Sequence, residues 1–587
     1  MKKYIYLSAL SLSLMGLSSC DLDSPSKSSL DAQTVFSIYD LAEQAVMGIH
    51  QSFGETNSYR GRYLPYYGLN TDIEWINGTD ATKGDDKYLL CWYQPQPNSS
   101  TMNTDNNAYA KFFEAIERAN QGITAIRTYG NIDNDADMGQ LYGELLTLRA
   151  VVYLDLLKGW GDVPYRFEPI TTETMYLPRT DRDEIYKKLL ADLEEAEDYC
   201  YWPNANNITK STERVSKAFV KALRARIALY AGGYSQRGDG IRLSSDPELS
   251  QSAMYAIAKK ECIDIISQGC NRLESFKDNF YRLSTDQVDA GHESIWEIPF
   301  SEGRGRVMYT FGIKHQKADQ YTSQPQGGVN GPVPTLWYDF DVEDARRDIT
   351  CAPYRWSNEA RSKQELWNVH SWCFGKLRYE WTHDVRNVTS TNDDGINWQY
   401  MRLADVYLMA AEAVNELDGA SAAWTYMKPV LDRSLPAAKV AALQSKYTAS
   451  KDAFFAGIMD QRKFELAGEM LRKADLIRWN KLDSQLAQAQ QDMRDLRARA
   501  GKYADLPEKV YYTYAADNET LVIYGLNHGD TDEEGAALVG YENTTWLGES
   551  KFEDKYIDGL VQGDPNKNQY WPIWQYFIDN SNGMLKN

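Results

Sequence analysis

The sequence predicts a mainly α-helical protein: one compact body in which tetratricopeptide-like helix pairs pack against an irregular, loop-rich half with a few short strands. Three observations carry this. Apolar residues recur at three- and four-residue spacing, as at Leu141, Leu145, Leu148, Val152 and Leu156. Small residues such as Ala218, Ala222 and Ala225 stand where paired helices would cross, which lets their backbones approach closely. Between 300 and 397 the chain is instead rich in Gly, Pro, Trp and Tyr and nearly without periodicity, the composition of a long functional surface. No strict repeat of about 34 residues is visible, so the pairs are interrupted by insertions.

Taken in order, Met1 to Cys20 has the build of an export segment: Lys2 and Lys3, an apolar run from Ile5 to Leu17, then small residues. The run is too short and wrongly flanked for a transmembrane helix. Helices are predicted over 31–53 and 106–129, followed by an amphipathic helix from Leu141 that closes at Lys158-Gly159-Trp160-Gly161-Asp162-Val163-Pro164. Thr180 precedes Asp183 at capping-box spacing and opens a helix to about Tyr199. Further helices run from Val215 to the Gly232-Gly233 stop and from Ser252 to Ser267, and Glu293 to Phe300 is predicted to be a strand. The helical pattern resumes at Asn397. From Ile458 to Leu482 strong helix formers predict one long helix. Along it Arg462, Glu465, Glu469 and Arg472 fall in one row, which Asp475 and Arg478 extend. A solvated face explains such pairing, but the row ends on Arg478-Trp479, which suits a charged seam against other helices. A polar helix to about Ala500 follows, then an acidic, loop-rich segment.

Composition narrows the function. With 587 residues and a net charge of −20, the chain lacks the basic surplus that nucleic-acid backbones require, so no nucleic-acid partner is expected. Its 40 Tyr and 16 Trp supply abundant amphipathic ring surface. Cysteines 91, 200, 262, 270, 351 and 373 include no CxxC pair, so a zinc ribbon is unsupported. If Cys262 and Cys270 share a helix they stand about 12 Å apart along it, too far for a disulfide, so buried thiols are expected. Asp133, Asp135, Asp137 and Glu144 follow an EF-hand-like count, but Met138 occupies the position that needs glycine. Acids at the start of the following helix explain the run without a metal. No nucleophile elbow, HExxH or phosphate loop is present, so neither a cofactor nor catalysis is predicted.

Four stretches resemble one family. Arg462, Glu465-Leu466-Ala467-Gly468-Glu469, Arg472 and Asp475-Leu476-Ile477-Arg478-Trp479 match the C-terminal signature of the SusD/RagB proteins. Arg149, Ala150, Tyr153, Leu154, Leu157 and Trp160-Gly161-Asp162-Val163-Pro164 match a second motif. Arg402, Ala404, Asp405, Leu408 and Ala411-Glu412-Ala413 match a third. Trp571-Pro572-Ile573 is similar to a terminal Pro-Ile-Pro, with Trp574 in place of the second proline. Those proteins are outer-membrane lipoproteins of Bacteroidetes that bind glycans beside a TonB-dependent transporter. The resemblance implies about four helix pairs, mainly in 31–270 and 398–482, ligand-facing regions near 54–105 and 300–397, and a variable insertion near 501–570. Leu17-Ser18-Ser19-Cys20 resembles a lipobox, which implies a signal peptide over 1–19, lipidation of Cys20 and a mature body over 20–587. Asp21 and Asp23 resemble a surface-export signal. The implied partner is a SusC-like β-barrel, over which this protein would sit as a lid.

The family offers no fixed motif for the ligand, so candidates come from residue chemistry. Sugars stack their C–H faces on aromatic rings while polar groups hold the hydroxyls. One irregular region supplies Tyr66, Tyr67, Asp72, Trp75, Asn77, Trp92 and Tyr93; the other supplies Arg304, Tyr309, Tyr321, Gln324 and Gln326. Trp75, beside Asp72 and Glu74 and before an Asn77-Gly78 turn, is expected to be an exposed platform. Two alternatives stand beside glycan binding: capture of peptides or another nutrient by the same lid mechanism, and a secreted helical glycoside hydrolase with a carboxylate pair.

Overall fold

A computed structural model describes residues 30–391 and 394–587, so the export segment and Cys20 lie outside the described residues. Helices α1 (Tyr39–Gly54), α2 (Ala108–Tyr129), α3 (Ala136–Trp160), α4 (Arg182–Tyr199), α5 (Lys217–Ala231) and α6 (Gln251–Gln268) form a stack. From α2 onward each packs on the next, while α1 lies against both α2 and α3. After the irregular region, α7 (Leu403–Asp418) joins the stack on α6, and α8 (Ala420–Asp432) and α9 (Lys451–Leu466) both pack on α7. α10 (Arg472–Arg478) and α11 (Leu482–Ala498) follow. Among the described residues no helix is long and apolar enough to cross a membrane.

The helix starts follow ordinary capping chemistry. The side chains of Asn107, Asp135, Ser216 and Ser450 accept bonds from the first-turn amides of α2, α3, α5 and α9. Asp135 thus caps α3, and Glu144 is taken by Arg214 at 2.8 Å. Among the described residues no group of three His, Cys, Asp or Glu is placed to hold a metal. Two details differ from the sequence reading. Asp181, not Thr180, caps α4, because Thr180 is drawn into a two-residue strand pairing with Val163. α3 is also buried from Met138 through Trp160, on every face, because helices flank it on both sides.

Three further corrections share one cause, namely that distant contacts override local propensity. The first predicted helix breaks at Ser37-Ile38, leaving a short turn of helix over Ala32–Phe36 before α1. A strand over Ser294–Ile298 forms where expected, but its partner is Trp398–Arg402, part of the stretch predicted as helix. The long helix over 458–482 is broken between α9 and α10, with Gly468 at φ +79° and Met470 at φ +60°. The Gly468 amide donates to Glu74 at 2.9 Å, and a Cβ on Gly468 would lie 3.1 Å from the Phe374 ring. Only glycine fits that turn without strain.

The break folds the charged row into the interior, where it joins the helices together. Arg402 meets Glu293 at 2.8 Å, Glu465 at 2.6 Å and Glu469 at 2.8 Å. Arg462 bridges Asp405 at 2.5 Å and Asp475 at 2.7 Å, and Arg478 meets Asp475 and Glu412. Arg226 on α5 reaches Asp405 on α7 at 2.6 Å. Every member of this network is buried except Glu469, which is half-buried. The row is therefore a seam between helices and not a solvated face. The described cysteines are unbridged and, apart from half-buried Cys270, buried.

The irregular half is tied by small antiparallel units. Glu74–Ile76 pairs with Asn330–Pro332, placing Trp75 opposite Gly331. Tyr354–Trp356 and Gln364–Leu366 form a hairpin. The acidic segment after α11 contains a three-stranded sheet, with Lys509–Tyr514 between Leu521–Tyr524 and Glu542–Thr545.

Candidate functional site

The expectation of an exposed platform at Trp75 is corrected by its burial: the side chain is 0 % exposed and meets Phe552 edge-on at 6.3 Å. Its neighbours are engaged inside as well. Tyr67 stacks on Tyr63 at 4.7 Å, Trp92 stacks on Tyr88 and donates to Thr79 at 2.8 Å, and the Tyr93 hydroxyl donates to the Asn70 carbonyl at 2.7 Å. Asp72 is held by Arg472 at 2.6 Å, and the Asn77 amide donates to the Trp372 carbonyl at 3.1 Å. The physical reason is the backbone. Gly68, Asn70 and Gly78 all take positive φ, so the stretch coils inward and β pairing holds Trp75 under the irregular half.

Tyr66, Tyr309, Tyr321 and Gln324 remain half-buried and Arg304 is exposed, whereas Gln326 is buried and donates to the Ser390 carbonyl at 3.0 Å. Tyr66 and Tyr309 lie within electrostatic reach of each other and of Arg62 and Arg306. Burial, ahead of these charges, pushes the Tyr66 hydroxyl up. Tyr321 stands apart: its hydroxyl donates to Glu519 and its ring lies 4.9 Å from Trp356.

A cleft of about 190 Å³ opens between the loop 366–372 and the strand Glu542–Thr545. Trp367 and Trp546, both half-buried, line it together with the buried Trp372. Trp372 and Trp546 stack at 6.0 Å with planes 7° apart, and the Arg355 guanidinium lies 5.3 Å from the Trp367 ring. The Trp546 indole N–H has no protein partner. Exposed Asn368, Thr545 and Lys551 supply donors and acceptors at the rim. No Asp or Glu lines the cleft, so it lacks the carboxylate pair that glycoside hydrolysis requires. Ring faces beside hydroxyl-seeking groups can instead stack and hydrogen-bond a polar, flat-faced ligand. Sequence reading missed these residues. Their signal was Trp367-Asn368 and Thr544-Thr545-Trp546, aromatics beside polar residues in unperiodic segments, and nothing local pairs the two.

The architecture and motifs match known proteins. A model of the SusD family matches residues 350–587, and one described as starch-binding associating with outer membrane matches residues 77–229. Among curated relatives, SusD-like protein P25 of Formosa agariphila is 24% identical over 509 residues, spanning 78% of this chain and 87% of that protein. SusD-like protein P2 of the same organism is 26% identical over 503 residues, spanning 81% and 91%. Of solved structures, a SusD homolog from Bacteroides thetaiotaomicron superposes with a TM-score of 0.67 at 18% identity, covering 79% of this chain and 90% of that one. Surface glycan-binding protein A from the same organism, in complex with laminarihexaose, gives 0.62 at 17% identity, covering 93% and 98%. At such identities the structural likeness speaks for the fold; with the two family models matching residues 77–229 and 350–587, the chain belongs to the SusD family.

Proposed function

We propose that this protein captures oligosaccharides at the cell surface without cleaving them and delivers them to a SusC-like, TonB-dependent β-barrel transporter, over which it acts as a hinged lid. The observation that carries the binding step is the Trp367–Trp546 cleft, ring faces with a polar rim and no lining carboxylate, on a SusD-family body. A solved protein of the same fold was captured with laminarihexaose, which supports a glycan as the ligand class. Tyr66 and Tyr309, near Arg62 and Arg306, are a second proposed contact zone, with Arg304, Tyr321 and Gln324 as further polar candidates. The lipobox-like run implies tethering through Cys20 to the outer membrane, with the body facing the exterior.

Two expected results follow. Isothermal titration against plant, host and microbial glycans should find a ligand, and Trp367→Ala should weaken it by about 1–3 kcal/mol, the range for one stacking ring. No reducing sugar should be released. An unchanged Kd in folded Trp367→Ala and Trp546→Ala variants would remove the cleft from the site, and binding of peptides but of no glycan would replace the ligand class. Mild-detergent purification from native membranes should recover a β-barrel protein together with the lipidated chain. Recovery of the chain alone would count against the lid.

A further inference from the structure

A separate cavity of about 360 Å³ shares no lining residue with the aromatic cleft. It lies where the end of α3 meets the approach to α4, the turn around Arg237 and the chain near Tyr570. Its donors are unusual in being left over. Arg182 is 3 % exposed and gives its Nε to Asp162 at 2.7 Å, but its Nη1 has no protein partner. The Tyr570 ring lies 4.7 Å from that guanidinium. The buried Trp160 indole N–H is likewise unpartnered, as is Nε of Arg237, whose Nη2 holds Asp183 at 2.6 Å. Arg179 is exposed and donates only to backbone carbonyls, of Asp162 at 3.0 Å and Lys586 at 3.2 Å. Lys567, which reaches Asp564 at 3.1 Å, completes the set, and Asp162 is the only acidic side chain that lines the cavity.

Three arginines and a lysine line the cavity beside one acidic side chain; Arg237 is also paired with Asp181 and Asp183 and Lys567 with Asp564, while Arg179 meets only backbone carbonyls and Arg182 keeps an unused N–H. A buried guanidinium with an unused N–H is costly unless something accepts from it, and an oxyanion accepts from several such donors at once. Trp160, Trp571 and Tyr570 add ring surface to the same walls. The volume exceeds what a bare ion needs and falls within the size of small-molecule pockets. We propose that this cavity binds a sugar-sized molecule carrying a carboxylate or sulfate group, with the oxyanion on Arg179, Arg182 and Lys567 and the ring against the aromatic wall. The site is independent of the cleft at Trp367.

The test titrates glucuronate, glucose 6-sulfate and glucose into the mature full-length protein, read by calorimetry and by tryptophan fluorescence. At least one anionic sugar should bind, with glucose binding at least about tenfold more weakly, and added salt should weaken the anion. The preferred probe tells carboxylate from sulfate, and either preference supports the site. Arg179→Gln with Lys567→Gln, both at exposed positions, should weaken the anion at least about tenfold while the melting temperature holds. Trp367→Ala should leave it unchanged, so failure here and failure of the glycan cleft are told apart. Equal binding of glucose and glucuronate, no binding of either anion at millimolar concentration, or affinity untouched in the folded double variant would overturn the proposal.

Discussion

Glu465→Ala should destabilise the protein by about 3–5 kcal/mol, the cost of removing one partner from a buried ion cluster. Glu465 is 0 % exposed and accepts from Arg402 at 2.6 Å, from Arg346 at 3.1 Å and from Arg433. Alanine would leave Arg346, itself 0 % exposed, with Asp344 as its one carboxylate and take one of three carboxylates from buried Arg402. Burial alone would raise the Glu465 carboxyl, yet the guanidinium groups of Arg433, Arg402 and Arg346 outweigh it and hold it well below the usual carboxylate range. Its contribution is therefore present above the ordinary carboxylate pKa and is lost as pH falls through the lowered folded value. Glu465→Gln keeps the shape and an acceptor but removes the charge, so it should lie between alanine and wild type. Arg402→Ala should cost a similar amount, and the pair should be far from additive because the two side chains share one interaction. Urea unfolding decides: a loss below about 1 kcal/mol in Glu465→Ala would mean the cluster is solvated or dispensable.

The same cluster marks how far local sequence could be read. The spacing of Arg462, Glu465, Glu469 and Arg472 put them in one row, the Arg478-Trp479 ending announced a seam between helices, and ion pairs largely withdrawn from solvent occupy it. The turn between Glu469 and Arg472 could not be read. The only local break signal in a run of good helix formers is Gly468, and what turns the chain is the reach of its amide to Glu74 and the packing of Phe374 on it. The strand at Trp398–Arg402 has the same origin, because its partner Ser294–Ile298 lies far away in sequence. For the candidate site, aromatic content was legible and exposure was not. Trp75 follows two acidic residues that look solvent-seeking, yet Asp72 is neutralised by Arg472 and Glu74 is buried. Trp367 and Trp546 become one cleft only when the sheet at 509–545 packs on the loop after Leu366.

Glu74→Gln should change how stability depends on pH, in the sense opposite to Glu465. Glu74 is 0 % exposed; one carboxyl oxygen accepts from the Gly468 amide at 2.9 Å and the other has no protein partner. Burial pushes this carboxyl up to about 8, and the Gly468 amide with nearby Lys376 and Arg472 only partly offsets it. Burial likewise raises Glu297 and Asp394, each to about 7. A folded-state pKa above the unfolded one means the native protein holds more protons between the two values. Stability should therefore fall as pH rises from the ordinary carboxylate range through about 8, and level off once these groups are ionised in both states. Glutamine cannot ionise, so the variant loses the Glu74 part of that slope. It should gain about 1–3 kcal/mol on wild type between about pH 6 and pH 9, whatever constant cost its unpartnered amide adds. Urea midpoints across that range measure it: parallel curves for the two proteins would show that Glu74 is already ionised at neutral pH, held there by Lys376 and Arg472.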